Sequence, residues 1–142
     1  MDDAYTATTS VVIKAPAARV WEALTDPEMI QQYMFGAEVT SDWKAGSPIT
    51  YRGEWNGKPF EDKGHVLAAE PGKRLVTTHW SPLSGTPDSP ENYHTVRYEL
   101  SENDGETELI LTQDNNASEE EKQESEKNWT AMLVGLKRLL EG

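Results

Sequence analysis

The sequence contains no cysteine, which excludes disulfides and thiolate metal sites and fits a reducing compartment. It also lacks any apolar run approaching the roughly 20 residues of a membrane-spanning helix. Basic side chains are scarce: thirteen lysines and arginines stand against twenty-five aspartates and glutamates, a formal charge of −12. Nucleic-acid binding needs a basic patch that displaces counterions from phosphates, so this composition argues against it, and against anionic membrane surfaces too. The first residues, Met1-Asp2-Asp3, are acidic where a secretory signal would be basic and then apolar. Gly53, Gly57 and Gly64 stand singly in strands and turns, so no glycine-rich phosphate loop is present. The expectation is one soluble, cytoplasmic domain over residues 1–142 that requires no cofactor.

What the chain does have is a long two-faced helix at its end. Trp129, Met132, Leu133, Leu136, Leu139 and Leu140 recur at helical spacing and form a broad apolar stripe. Ser118 and Glu121 have the spacing of a capping box, and Lys137 and Arg138 lie near the C-terminal end, where cations suit the helix dipole. A helix of about 20 residues spans about 30 Å, enough to cross a small sheet. Upstream, Ala7, Thr9, Val11 and Ile13 share one face of a strand. Pro16 and Asp26-Pro27 open two short helices. About six strands follow. Ile49, Tyr51, Gly53 and Trp55 alternate on one of them, and Asn56-Gly57 is a strong hairpin signal. The stretch 82–91, with three prolines, reads as a long loop. Consecutive hairpins imply an antiparallel sheet whose concave side the terminal helix must cover.

Large aromatic side chains (Tyr51, Trp55, Trp80, Tyr98, Trp129) would wall the space between sheet and helix, either filling it or lining a cavity. Met132 shares the helix stripe with Trp129. Gln113 continues the inward series Leu109, Leu111. Buried there, its amide must meet a side chain, water or ligand, since an unmatched amide costs about 1–3 kcal/mol; beyond the sheet edge it would be solvated. Asn128 and Ser125 are further polar candidates, Ser125 the more exposed in expectation. Of His79 and Trp80 only one can face the chamber, and Trp80, sharing its parity with Val76, is the one expected inward. His65, His79 and His94 lack metal-ligand spacing. Glu61, Asp62, Glu99 and Glu102 fall on solvent-facing parity or beside turns, so no acid–base pair is expected inside. Ser81, Ser84 and Ser89 lie in the loop without a nucleophile elbow. The acidic run from Glu119 to Glu126 reads as the solvated start of the helix.

Several words of the sequence, in order, carry a resemblance. They are Ala15-Pro16, Val20-Trp21, Leu24-Thr25-Asp26-Pro27, Ser41-Asp42-Trp43-Lys44-Ala45-Gly46, Pro71 with Arg74-Leu75, Pro90-Glu91-Asn92-Tyr93-His94, and Trp129 with Leu133, Leu136 and Lys137. Together they resemble the START-like (SRPBCC, Bet v-like) superfamily, and within it the domain shared by activators of the heat-shock protein 90 ATPase and their bacterial relatives. The resemblance implies an α+β helix-grip fold: a seven-stranded antiparallel sheet around a long C-terminal helix, with two short helices after the first strand. It implies a cavity for lipids, hormones, polyketides or similar molecules. Eukaryotic chaperone activators carry a separate docking domain ahead of this one; the given sequence opens at the first strand, so ATPase stimulation is not the expectation. Asn128 stands where many relatives have glycine. The function expected is non-enzymatic binding of a small hydrophobic molecule, contacted by Tyr33, Tyr51, Trp55, Trp80, Tyr98, Gln113, Asn128, Trp129 and Met132. Access is expected between Tyr33-Met34-Phe35 and the loop 82–91. The alternatives are a cyclase or hydrolase on the same frame and a chaperone accessory domain.

Overall fold

The structure is a computed structural model that describes residues 5–34, 36–55, 57–82 and 85–141, with Trp55 described in its backbone only. The expectations resting on Met1-Asp2-Asp3, Phe35, Asn56, Ser84 and the Trp55 side chain lie outside the described residues. Strand β1 (Ala7–Ile13) leads into helices α1 (Ala17–Thr25) and α2 (Pro27–Tyr33). The Asp26 side chain accepts from the Glu28 backbone N–H at 3.0 Å, capping α2 with Pro27 in its first turn. Six strands follow: β2 (Glu38–Ser41), β3 (Pro48–Trp55), β4 (Lys58–Glu70), β5 (Arg74–His79), β6 (His94–Asn103) and β7 (Glu106–Gln113). Helix α3 (Glu119–Glu141) closes the chain.

The seven strands form one antiparallel sheet in the order β1-β7-β6-β5-β4-β3-β2. This is the helix-grip architecture that the family resemblance implies. Its core is aliphatic. Ile13, Val20, Ile30, Val66, Leu75, Leu109, Leu111, Met132, Leu133 and Leu136 are each almost completely buried, at roughly 1.5–3 kcal/mol apiece relative to exposure.

Two local features position the site. Trp55 pairs with Lys58, a register that places Tyr51 opposite Asp62 and Gly53 opposite Phe60. Farther along, β4 and β5 approach so closely at Gly64 that a Cβ there would lie 1.7 Å from the Thr78 carbonyl oxygen. Only glycine fits that crossing. A register shift between Val66 and Ala68 then turns Leu67 out to solvent.

Helix α3 begins as a capping box. Ser118 Oγ accepts from the Glu121 N–H at 3.1 Å, and the Glu121 carboxylate accepts from the Ala117 N–H at 3.1 Å. The helix is tied to the β1 edge along its length. The Glu126 carboxylate accepts from Thr8 N–H, Thr9 and Thr130 share a hydroxyl bond, Lys137 donates to the Val12 carbonyl, and Glu141 accepts from Lys14 N–H. Pinned to that side, the helix leaves the other half of the curved sheet less completely covered. No described helix is long and apolar enough to cross a membrane.

Candidate functional site

A cavity of about 240 Å³ lies between the β3–β6 half of the sheet and the middle of α3. Tyr51 and Gly53 of β3, Phe60 and Asp62 of β4, Thr77 and His79 of β5, and Val96 and Tyr98 of β6 form its floor. Asn128, Trp129 and Met132 roof it, and Met34, Ala37 and the exposed Glu54 stand at its margin. Each strand contributes alternate residues, as a concave sheet face requires.

The apolar wall is interrupted at one corner. His79 Nε2 lies 2.9 Å from Asp62 Oδ2, and the His79 and Tyr51 rings form a T-shaped pair with 5.4 Å between centroids. Asp62 Oδ1 is buried and has no hydrogen-bond partner among the described residues. Burial raises the ionisation of Tyr51 well above its ordinary range and the Asp62 charge pushes it further, while a hydrogen bond with Thr77 works the other way. Tyr98 and Tyr33 are likewise raised, chiefly by burial. Among the described residues no three potential metal ligands converge.

Of the residues expected at the site, Tyr51, Tyr98, Asn128, Trp129 and Met132 come together around this cavity. Tyr33 does not reach it: its hydroxyl donates to the Ala23 carbonyl at 2.7 Å, tying α2 to α1. It borders a separate void of only about 10 Å³. Gln113 is buried under the helix, but its amide meets protein and not the chamber. Its Oε1 accepts from the Trp129 indole N–H at 2.5 Å, and its Nε2 points to Asn116 and Ser125. The amide therefore holds Trp129 in place. Ser125, expected to be solvated, instead donates to Asn116 at 2.9 Å.

Two expectations are reversed. His79 faces the chamber, in phase with the buried Leu75 and Thr77, whereas Trp80 lies on the opposite face. Val76 is buried on that opposite face as well, so its parity carried no information about the chamber. Trp80 stacks on Tyr93, carries Lys63 over its ring and donates to Thr86. The second reversal is Asp62, expected in solvent and found inside. The turn between Trp55 and Lys58 could have located it, because pairing back from that turn sets Asp62 beside the inward Tyr51. The loop after β5 is held to the outer face by Lys63, which pairs with Asp88, and by the Trp80–Tyr93 stack. No described residue of that loop lines the cavity; Met34, Ala37, Glu54 and Asn128 do.

Over residues 14–141 the chain matches the family described as Activator of Hsp90 ATPase homolog 1-like protein. It belongs to that family. No curated protein matches it. Among solved structures it is similar to ChR145 from Cytophaga hutchinsonii, at 50% identity over 99% of this chain and 97% of that one, with a TM-score of 0.86. CalU16 from Micromonospora echinospora is similar at 25% identity over 95% of this chain and 75% of that one, with a TM-score of 0.76. MLL2253 from Mesorhizobium loti, at 21% identity over 96% of each chain and a TM-score of 0.78, shares the fold. Membership of the family fits a binding or cyclase-type role.

Proposed function

We propose that the protein binds a small, largely apolar molecule beneath α3. The observation that carries this reading is the unfilled volume of about 240 Å³ behind Tyr51, Phe60, Tyr98, Trp129 and Met132. A dry cavity of about 150 Å³ elsewhere holds benzene, so this one suits a body of about two fused rings. Burial of its apolar surface, at roughly 25 cal/mol per Å², drives binding against the loss of motional freedom. Native mass spectrometry of protein purified without denaturant tests the reading: a stoichiometric small-molecule adduct is expected. The variant Val96→Phe, which places a ring inside the chamber, should lower affinity for a bound aromatic probe at least about tenfold, ~1.4 kcal/mol, with the unfolding midpoint kept. Unchanged probe affinity in this folded variant would overturn the assignment of the chamber as the binding site.

A second reading, an acid–base enzyme on the same frame, is favoured by one observation, the inward His79 beside Asp62. A carboxylate that orients an imidazole prepares it to take or give a proton. A bound ligand whose mass changes during incubation with the native protein, and stays unchanged with His79→Gln, supports this reading; a ligand recovered intact from both rejects it. The family's link to a chaperone leads to a third role, which expects a filled core and an apolar docking patch. The chamber speaks for the first two.

A further inference from the structure

A buried polar cluster lies beside the chamber without lining it. Gln113 and Asn116 are 8% and 4% exposed, and neither they nor the half-buried Ser125 borders the cavity. Ala7 and Gln113 form the last rung of the β1–β7 ladder. Beyond it Asn115 takes the left-handed conformation, φ 60°, which asparagine adopts more readily than most side chains, and its amide donates to the Glu91 and Tyr93 carbonyls. The chain turned in this way brings Asn116 back to Tyr5. The Tyr5 carbonyl accepts from the Asn116 side-chain amide at 2.7 Å and from its backbone N–H at 3.4 Å. The same amide donates to the Gln113 carbonyl at 3.1 Å, and its oxygen accepts from Gln113 Nε2 at 3.3 Å and from the Ser125 hydroxyl at 2.9 Å. Gln113 Oε1 in turn accepts from the Trp129 indole N–H.

The direction of every bond in this series is forced. A backbone carbonyl can only accept and an indole N–H can only donate. With Tyr5 at one end and Trp129 at the other, neither amide can turn round without setting like groups against each other. A buried network whose members are all matched is rigid, because each partner lost leaves a desolvated group behind. We infer that the backbone at Tyr5 governs the roof of the chamber: through Asn116 and Gln113 it fixes the Trp129 indole, so that displacing this segment frees the indole and slackens the chamber. Helix α3 sets the backbone of Trp129 but not its side-chain torsions, and the bond at the indole's one donor selects among them. Asn116 is thus a positioning residue that acts on the cavity only through Gln113 and Trp129. The consequence for binding rests on the chamber being a binding site; the relay from Tyr5 to Trp129 does not.

The test is hydrogen exchange of the indole protons, followed by NMR in the unmodified protein and two variants, one lacking residues 1–5 and the other Asn116→Ala. In both variants the Trp129 indole proton should exchange at least about fivefold faster. The backbone amides of Leu133 and Leu136 should keep their rates, as should the Trp80 indole, which donates to Thr86 on the outer face. Unchanged Trp129 exchange in the shortened protein overturns control from Tyr5. Should that protein not fold, the same result in Asn116→Ala overturns the relay. Acceleration of all these protons together overturns it as well, because it reports loosening of the whole fold. Calorimetric titration with naphthalene reads the consequence: the shortened protein should bind it at least about threefold more weakly than the unmodified one. Equal affinity despite faster indole exchange overturns the link from roof to binding. If the unmodified protein takes up no naphthalene, the chamber reading fails and that link with it, while the exchange rates still decide the relay.

Discussion

Gly64 helps to shape the site without lining the chamber. Its missing side chain lets β4 and β5 cross at a distance that a Cβ, 1.7 Å from the Thr78 oxygen, forbids. The Thr78 hydroxyl accepts from the His65 N–H beside the crossing, and Lys63 bridges to Trp80 just past it. The obstacle to a side chain is backbone and cannot rotate away. Gly64→Ala should therefore destabilise the fold by ~1–3 kcal/mol or more, read as a lowered urea midpoint. It should also separate His79 from Asp62, read as a lengthened distance between the two side chains in the variant's structure. Neither Gly64 nor Asp62 announces its role in the sequence. A lone glycine in a strand has many uses, and Asp62 reads as solvent-facing until the hairpin register is counted. Trp129 is different: its place on the helix stripe was legible, whereas the acceptor for its indole N–H, Gln113, had three possible partners before packing chose one.

Helix α3 was legible over its whole length because its signals are local: a capping box, a stripe at helical spacing, and cations near its end. Its attachment to β1 was not, because the bonds join residues more than a hundred positions apart. Glu141 illustrates the consequence. Lys137 and the Lys14 N–H hold its ionisation below the ordinary 4.5. The folded value lies below the unfolded one, so its contribution is complete above the unfolded range and is lost as pH falls through the lower folded value. Glu141→Gln should flatten the fall of the urea midpoint between about pH 5 and pH 3, where carboxylates take up protons; an unaltered slope would show that this tie between helix end and edge strand carries no stability. The loop after β5 went the other way. Its proline content identified it as a loop, yet nothing local told which face of the sheet it would cover. Trp80, Tyr93, Lys63 and Asp88 settle it on the outer one.

Three tyrosines surrounded by protein give the folded chain an alkaline limit. Burial raises the ionisation of Tyr33, Tyr51 and Tyr98 above the ordinary value near 10. Groups raised in this way contribute stability that is whole below the unfolded value and is lost as pH rises through the folded one. Phenolate absorbance should therefore show these three titrating together with loss of secondary structure above about pH 10, in one cooperative step. Three normal titrations before unfolding would contradict the burial. The order of elements, the antiparallel sheet and the clasping helix follow from periodicity and turn chemistry, which act between near neighbours along the chain. The chamber and its acid–imidazole corner were decided only by tertiary structure. They depend on where a helix pinned to one sheet edge stops covering the other, and on a strand crossing that brings Asp62 and His79, seventeen positions apart, to one point. Such distances arise from the sum of all contacts and are encoded in no single stretch.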